Sequence, residues 1–482
     1  MQRCALVAEI DSPLSATQFF ALFRERPYSF LLDSGMDHDK LGRYSFMGSD
    51  PFLVLRSRGE EITLIRSSGE EEVVRGNPFD LVGELLGVYA LDSHPADILF
   101  AGGAVGYFSY DLCHFIERLP ATAVDDLALP ECYLAFYDAA LALDHRTGRV
   151  YLASSGFPEL EEGKRVKRAE ARLEELKGRI AGGPVLSPAA PRAARGLTNG
   201  GVTLKSNFTR EEYLKAVAAV REYICAGDIF QVNLSQRFEA DLSTSPYQLY
   251  HTLRTINPAP FASYLGFAGV GIVGASPERF LRVRGDRVET RPIKGTRPRG
   301  KSAESDRALA QELLASAKDR AENIMIVDLE RNDLGRVCRY GTVKVTELAI
   351  LETYPTVFHL TSTVVGRLCA GKGRTDLLKA TFPGGSITGA PKVRAMEIID
   401  ELEPTRRSVY TGSIGYLSFS GEMDLNIVIR TILVQGGRAY FQVGGGIVYD
   451  SRPEAEYDET LDKARALIQA LNPQAQVVME TV

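Results

Sequence analysis

The pattern of hydrophobic and polar residues divides the chain into two blocks joined by one segment without periodicity. Residues 1–180 read as short strands and turns and end in a charged helix over residues 160–180. Residues 181–202 are rich in Pro, Gly and Ala and have no apolar period, which is typical of a linker. Residues 203–475 mix helices with runs of adjacent strands. We therefore predict an N-terminal region, a linker and a larger second region, with an α+β fold.

The second region begins with a helix whose limits are readable. Thr209 and Glu212 form a T-x-x-E capping box, apolar residues recur at positions 213, 217, 220 and 224, and Gly227 ends the pattern. Alternation then predicts a strand from residue 230 onward, with residues 230, 232 and 234 on one face. Further strands are predicted at 261–267, 270–274 and 279–284, and further helices at 305–333, 391–402 and 454–471.

A predicted hairpin brings an acid close to an amine. If Gly285 and Asp286 form a two-residue hairpin loop, Glu278 falls opposite Ile293, one residue from Lys294. Side chains paired across a hairpin lie about 5–8 Å apart, so Glu278 and Lys294 are predicted to share one site.

The surroundings of Lys294 leave its role open at this point. Arg291, Arg297 and Arg299 flank it, and crowding by cations lowers a lysine pKa and makes the neutral, nucleophilic amine accessible. The same residues are compatible with a solvated basic loop or a plain anion-binding patch.

Two pairs of carboxylates lie at helical spacing. Asp319 and Glu322 are three residues apart in one predicted helix, and Glu456 and Glu459 are three apart in another. Each pair lies on one helix face, where like charges repel unless something compensates them. If the two faces met, they would form an all-oxygen site suited to Mg²⁺. Two independent solvated faces remain the alternative.

Composition and charge exclude several classes of protein. The chain has 482 residues, 24% of them charged, and a net charge of -6, which does not favour binding to nucleic acid or to a membrane surface. No apolar run reaches the ~18–20 residues of a transmembrane helix, and residues 1–13 lack the pattern of a secretory signal. Six scattered cysteines without a C-x-x-C pair argue against structural zinc and favour a reducing, cytoplasmic setting.

Some familiar motifs fail on inspection. Residues 269–274 match G-x-G-x-x-G, but a strand pattern follows where dinucleotide binding requires a helix. Residues 384–389 have P-loop spacing without the required Lys-Ser/Thr. No Ser or Cys occupies a nucleophile elbow of the G-x-S-x-G or G-x-C-x-G type, so no glutaminase nucleophile is present.

Several longer motifs, in this order along the chain, resemble the chorismate-utilising enzymes. They are SPERF (276–280), PIKGTRPR (292–299), DRAENIMIVDLERND (319–333), HL (359–360), FPGGSITGAPK (382–392), YTG (410–412), Arg430, GGG (444–446) and EAEYDET (454–460). The resemblance implies a large α+β sandwich, with two sheets facing each other and helices on the outside.

Within that family, two residues point to the reaction. Lys294, in the P-I-K-G-T motif, is typical of members that aminate chorismate at C4 to 4-amino-4-deoxychorismate, for 4-aminobenzoate and folate biosynthesis. Members that form anthranilate usually have alanine there. Gln231 stands where water-using members have lysine, so ammonia is the expected nucleophile. The alternatives are an anthranilate-forming enzyme and a non-catalytic subunit that binds chorismate or tryptophan.

The resemblance also implies roles for individual residues. Glu278 would protonate the departing C4 hydroxyl, Lys294 would form a covalent intermediate at C2, and His359 would orient or polarise that region. Mg²⁺ would be held by Glu322 and Glu459, with Asp319 and Glu456 beside them. Substrate contacts are expected from Gly295, Thr296, Tyr410, Arg430, Gly444, Gly445 and Gly446.

Two further partners follow from the resemblance. Ammonia would come from a separate glutamine amidotransferase subunit. A tryptophan pocket is also expected, without implying regulation. Its motif residues are Ser34, Leu41, Gly42, Arg43, Tyr44, Pro260, Phe261 and Ala262.

Overall fold

The computed structural model of the chain describes residues 2–92, 98–183, 203–354 and 357–472, and the backbone of 478–480. In chain order, the strands are β1 (Leu6–Ile10), β2 (Ser29–Asp33), β3 (Tyr44–Gly48), β4 (Leu53–Arg58), β5 (Glu61–Arg66), β6 (Glu71–Arg75), β7 (Gly103–Phe108), β8 (Cys132–Tyr137), β9 (Ala139–Asp144), β10 (Val150–Ser154), β11 (Thr203–Ser206), β12 (Gln231–Asp241), β13 (Phe261–Phe267), β14 (Val270–Ser276), β15 (Arg279–Arg284), β16 (Arg287–Arg291), β17 (Ile293–Pro298), β18 (Lys344–Thr353), β19 (Val357–Arg367), β20 (Gly389–Ala390), β21 (Ser413–Ser418), β22 (Met423–Asn426), β23 (Thr431–Gln435), β24 (Arg438–Ile447) and β25 (Val478–Glu480).

The α-helices are α1 (Ala16–Phe20), α2 (Pro78–Val88), α3 (Glu162–Ala181), α4 (Arg210–Ala226), α5 (Pro246–Ile256), α6 (Ala303–Ala315), α7 (Ala317–Gly335), α8 (Arg374–Thr381), α9 (Lys392–Leu402) and α10 (Pro453–Leu471). Short 3₁₀-helices span Tyr110–Phe115 and Gly385–Ile387. None of the helices in the described ranges is long and apolar enough to cross a membrane.

Both blocks of the chain contribute to both sheets. The first sheet runs β1-β10-β9-β3-β2-β13-β14-β23-β24-β12-β11-β25, with β20 added to β12. The second runs β17-β19-β16-β15-β22-β21-β7-β8-β4-β5-β6, with β18 added to β19. The blocks join where β2 pairs with β13 and where β7 pairs with β21. They therefore form one interwoven unit. Residues 184–202, most of the predicted linker, lie outside the described residues.

The sheets face each other across an aromatic layer. Phe30 of β2 lies 4.6 Å from Tyr137 of β8 between ring centroids, and Phe46 of β3 lies 5.3 Å from Tyr416 of β21. On the other side of the first sheet, apolar residues pack against α1, α3, α5 and α10. The second sheet is covered mainly by α2, α7 and α8, while α4 and α9 pack against β12 of the first sheet. This arrangement confirms the predicted α+β sandwich with helices outside.

Local predictions in the second block agree with the structure in most places. Thr209 and Glu212 form the capping box of α4, and Gly227 ends the helix in the left-handed conformation. The predicted helix at 305–333 is instead two helices, because Ser316 ends α6 and caps α7 through the Asp319 amide. Phe230 is 72% exposed, so the inward face of the strand starts at Val232.

A buried ion pair connects a strand of the first sheet with two segments that follow α8 and α9. Arg407 and Glu403 are both almost inaccessible, and Nη2 of Arg407 lies 2.7 Å from Oε1 of Glu403. Arg407 also donates to the carbonyl oxygens of Asn233 and Ile387. Glu403 accepts from both the amide and the hydroxyl of Ser235. These bonds connect β12, the 385–387 turn and the segment after α9.

Replacing Arg407 by Met should destabilise the fold strongly. The change leaves the Glu403 carboxylate buried without its cation, which costs about 3–5 kcal/mol in the free energy of unfolding. Urea unfolding followed by circular dichroism measures the loss. Lys372→Met is the control, since Lys372 and Asp376 form an exposed pair worth at most ~1 kcal/mol. Equal losses in the two variants would contradict the assigned importance of the buried pair.

Candidate active site

The predicted hairpin places Glu278 beside the strand that carries Lys294. β15 and β16 pair Arg284 with Arg287, as predicted, but a bulge shifts the register so that Arg279 faces Arg291. Glu278 therefore meets the start of β17 by a side-chain contact, since Oε1 accepts the Ile293 amide at 3.4 Å.

Glu278 is buried, and its pKa is raised to about 7. Burial is the main cause, because it disfavours the charged form. The hydroxyl of Ser386, which donates to Oε1 at 2.5 Å, and the charge of Lys294 oppose the shift. Glu278 can therefore hold a proton at neutral pH, as a general acid must.

Burial lowers the pKa of Lys294, and Lys463 lowers it further, while Glu322, Glu278 and Glu459 oppose the shift. The direction agrees with the prediction, but the expected cause differs because the neighbouring arginines are paired elsewhere. Arg291 binds Glu347 and Glu352, Arg297 binds Glu312 and Asp319, and Arg299 binds Asp306.

The amine of Lys294 lies against the glycine run of β24. A Cβ added at Gly446 would lie 3.4 Å from Nζ of Lys294 and would overlap Nε2 of Gln231. A Cβ at Gly445 would lie 3.3 Å from Glu456 Oε2 and 3.6 Å from Glu459 Oε1. The carbonyl of Gly444 accepts from Lys463 at 2.8 Å. The structure thus brings the lysine, the glycines and the acidic face of α10 together.

The two acidic helix faces also approach each other. Burial raises the pKa of Glu322 on α7, and the charges of Asp319 and Glu456 raise it further, against Lys294 and Lys318. Burial likewise raises the pKa of Glu456 on α10. Because the charge of Glu456 acts on Glu322, the faces are not independent solvated surfaces.

The donor set suits a hard divalent cation, which takes carboxylate oxygens and water. Three of the carboxylates are engaged in ion pairs: Glu459 with Lys463 at 2.7 Å, Asp319 with Arg297 at 3.1 Å and Glu322 with Lys318 at 3.9 Å. The pairing with Lys463 is also the main reason that the pKa of Glu459 is lowered. In this arrangement, no group of three or more His, Cys, Asp or Glu among the described residues is positioned to hold a metal. A bound cation would therefore require the carboxylates to move closer together.

Tyr410 and Arg430 are partly buried and interact with each other. Burial raises the pKa of Tyr410 to about 12, against the charge of Arg407. Burial lowers the pKa of Arg430, while Tyr410 and Glu459 oppose that shift. Arg430 has a φ of 53°, in the left-handed region, and Nη1 donates to the Lys463 carbonyl at 2.8 Å. Its backbone is thus held in an uncommon conformation beside α10.

His359 and Thr296 pair across β17 and β19. Oγ1 of Thr296 lies 2.9 Å from Nδ1 of His359, and Tyr354 packs edge-on against the imidazole. Burial lowers the pKa of His359 to about 3, and Arg430 contributes. The imidazole is therefore neutral at pH 7. Gly295, at φ 89°, places its backbone against Asp319.

Comparison with known proteins identifies the family. The family model described as chorismate binding enzyme matches residues 29–469. The chain belongs to the chorismate-binding enzymes.

Similar proteins in this family carry two different names. Anthranilate synthase component 1 of Acetivibrio thermocellus is 41% identical over 98% of this chain and 94% of its own. Aminodeoxychorismate synthase component 1 of Salmonella typhimurium is 43% identical over 95% and 96%. The crystal structure of anthranilate synthase component I from Streptococcus pneumoniae superposes with a TM-score of 0.76, at 34% identity over 90% and 94%. These values show the family without separating its two amine-forming members.

The predicted tryptophan-pocket residues also lie close together in this chorismate-binding enzyme. Ser34 donates its hydroxyl to the Tyr44 carbonyl at 2.6 Å, and a Cβ at Gly42 would lie 3.0 Å from Cβ of Ser34. Ala262 pairs with Asp33 across β13 and β2, which places Pro260 and Phe261 at the same end.

Sequence reasoning missed two residues next to the acid. Ser386 contacts Glu278 directly, and Glu330 holds the adjacent Gly385 amide at 2.8 Å. Both lie in motifs quoted above, but no spacing rule connects residue 386 or 330 with residue 278. Gln231, noted only as the place where relatives have lysine, has a buried Oε1 without a hydrogen-bond partner among the described residues.

Gly446→Ala should damage the site with little effect on the fold. The new methyl group displaces buried Gln231 and crowds the Lys294 amine, and a displacement of this size costs about 100-fold in kcat/KM. Chorismate consumption and the thermal unfolding midpoint are the two measurements. Gly87→Ala in α2 is the control, since nothing lies within 4 Å of its Cβ position. Unchanged turnover by Gly446→Ala would show that this glycine does not line the reacting site.

Proposed function

We propose that the chain is an aminodeoxychorismate synthase component I, which aminates chorismate at C4 with ammonia to give 4-amino-4-deoxychorismate. The observation that carries the proposal is the position of Lys294. Its amine lies against Gly446 and is influenced by the charges of Glu278, Glu322 and Glu459. A lysine in this motif is the feature by which the chain resembles the C4-aminating members.

Chorismate has two carboxylates, and in this proposal a separate set of residues binds each of them. Tyr410, Arg430 and the backbone of Gly444, Gly445 and Gly446 bind the enolpyruvyl carboxylate in this proposal. Glu322 and Glu459, with Asp319 and Glu456 beside them, would hold Mg²⁺. When bound, Mg²⁺ would neutralise these carboxylates and bind the ring carboxylate of chorismate. Gly295 and Thr296 contact the ring.

Lys294 and Glu278 perform the first half of the reaction. The neutral amine forms a bond to C2, the ring double bonds shift, and the C4–O bond breaks. Glu278 gives its proton to the departing hydroxyl, which leaves as water. Burial shifts both groups in the direction that the reaction needs, because it raises the pKa of Glu278 to about 7 and lowers the pKa of Lys294.

Ammonia completes the exchange. It forms a bond to C4, the double bonds shift back, and the C2–N bond to Lys294 breaks. The enolpyruvyl group stays on the product, which distinguishes this reaction from anthranilate formation. Neutral His359, held by Thr296, orients the region from which the hydroxyl leaves.

A separate glutamine amidotransferase is the proposed source of ammonia. The similar proteins are named component 1, which implies a second component in their systems. This sequence has no glutaminase nucleophile motif of its own. The product would supply 4-aminobenzoate for folate synthesis. The proximity of Ser34, Gly42 and Tyr44 supports tryptophan as a further ligand in this proposal.

Anthranilate synthesis is the second candidate function. Relatives with that name are as similar as those named aminodeoxychorismate synthase, at 41% and 43% identity. Lys294 is the residue against it.

Product analysis by mass spectrometry decides between the two. The purified chain is given chorismate, Mg²⁺ and an ammonium salt, without a partner protein. We expect an aminated product that retains the enolpyruvyl group and yields 4-aminobenzoate only after a separate lyase is added. EDTA should abolish turnover, and added Mg²⁺ should restore it. Anthranilate with pyruvate would establish the second candidate, isochorismate would show that water attacks, and binding without turnover would indicate a non-catalytic subunit.

Lys294→Ala should reduce formation of 4-amino-4-deoxychorismate by at least about 100-fold, because it removes the amine that forms the C2 bond in the proposed reaction. The initial rate of product formation is the measurement, with intact-protein mass spectrometry for the covalent adduct. The exposed Lys301→Ala is the matched control, with an unchanged rate. A covalent adduct still recovered on the 292–299 peptide of Lys294→Ala would contradict the nucleophile assignment.

A further inference from the structure

Helix α7 carries a buried carboxylate that the proposed reaction does not use. Glu330 is 2% exposed and lies eight residues beyond Glu322. Its Oε1 accepts the Gly385 amide at 2.8 Å, and its Oε2 is buried without a hydrogen-bond partner in the described part of the chain. A Cβ on Gly385 would lie only 3.0 Å from Glu330 Oε1, so the turn packs directly on the carboxylate.

The residue after Gly385 holds the candidate acid. Ser386 donates its hydroxyl to Oε1 of Glu278 at 2.5 Å. The turn is also fixed from its far side, since Arg407 donates to the Ile387 carbonyl at 2.9 Å. One short turn thus connects Glu330 to Glu278 through two consecutive residues.

Burial of the Glu330 carboxylate is energetically unfavourable if the side chain only fills space in the core. A buried carboxylate that accepts one neutral amide loses more hydration than that bond returns. Lys392, which pairs with Asp333, is the cation that faces Glu330, and Asp333 and Glu278 are the facing carboxyls. Burial raises the pKa of Glu330 to about 7, and Lys392 opposes this.

We propose that Glu330 is a positioning residue for proton transfer by Glu278: it fixes the Gly385 amide and thereby directs the Ser386 hydroxyl onto the acid. The inference rests on the proposed function only in assigning Glu278 as the acid. Glu330 touches neither substrate nor Glu278 in this role.

A definite change in pH dependence follows. The Ser386 hydroxyl stabilises ionised Glu278 and so lowers its pKa, while Lys294 acts in the same direction. Activity that requires protonated Glu278 falls as pH rises through this pKa. Without the Ser386 bond the pKa rises, and the alkaline limit of activity moves to higher pH.

The test compares kcat and KM across pH for five variants of the full chain with chorismate, Mg²⁺ and an ammonium salt. Glu330→Met, which keeps length but cannot accept the amide, should move the alkaline limit up by about one pH unit. It should lower kcat about ten-fold with little change in KM. Ser386→Ala should do the same, and combining the two should add little. Glu330→Gln still accepts the Gly385 amide and should keep the wild-type limit.

Val327→Ala, a buried position in the same helix, controls for general loosening. It should lower the thermal midpoint without moving the pH limit. The proposal is overturned if Glu330→Met behaves like Val327→Ala. It is equally overturned if Glu330→Gln moves the limit as far as Glu330→Met, because the charge and not the hydrogen bond would then be responsible.

Amide hydrogen exchange separates this inference from the proposed function. Peptides that cover residues 382–390 should exchange faster in Glu330→Met but not in Glu330→Gln. The product formed by the wild type tests the function, and the pH limit can be followed on whichever product forms. If the wild type does not turn over chorismate, the function fails, and unchanged exchange in Glu330→Met would still overturn the anchoring role.

Discussion

The ion pair between Arg407 and Glu403 is the constraint on which the geometry of the site depends. Both groups are removed from water, so each needs the other and every hydrogen bond around them. Arg407 uses its remaining donors on the carbonyls of Asn233 and Ile387. The first lies on β12, opposite the glycine run of β24, and the second lies in the turn that carries Ser386. A displacement of this pair would therefore move the glycine run and the acid-holding turn together.

Burial sets the chemistry of the site by acting in opposite directions on acids and bases. It raises the pKa of Glu278 and lowers those of Lys294 and His359. All three groups are thereby moved toward their neutral forms. For Glu278 and His359 the shifts are large enough that a protonated carboxyl and a neutral imidazole coexist near pH 7, and the lowered pKa of Lys294 acts in the same sense.

The sequence predicts what local spacing determines and little beyond it. The loop at Gly285 and Asp286 follows from the residues that favour tight turns. The position of Asp319 and Glu322 on one helix face follows from helical geometry. That α7 and α10 bring their acidic faces together depends on packing between segments over a hundred residues apart, which periodicity does not encode. The bulge in β15 and the contact of Glu330 with Gly385 arise from the same tertiary packing. The resemblance to the chorismate-utilising enzymes predicted that the site residues lie in one site, which their spacing along the chain could not predict.

Overall sequence similarity cannot separate the two amine-forming reactions, and the reason is physical. Identities of 41% and 43% are averages over more than 450 positions, most of which maintain the sandwich. In the proposed reaction, the nucleophile at C2 is a single side chain, that of Lys294. On that proposal, two enzymes can share the acid, the carboxylates and the glycine run and differ in product through residue 294 alone. For this chain, the proposal of amination at C4 rests on the amine at that position, which lies against Gly446.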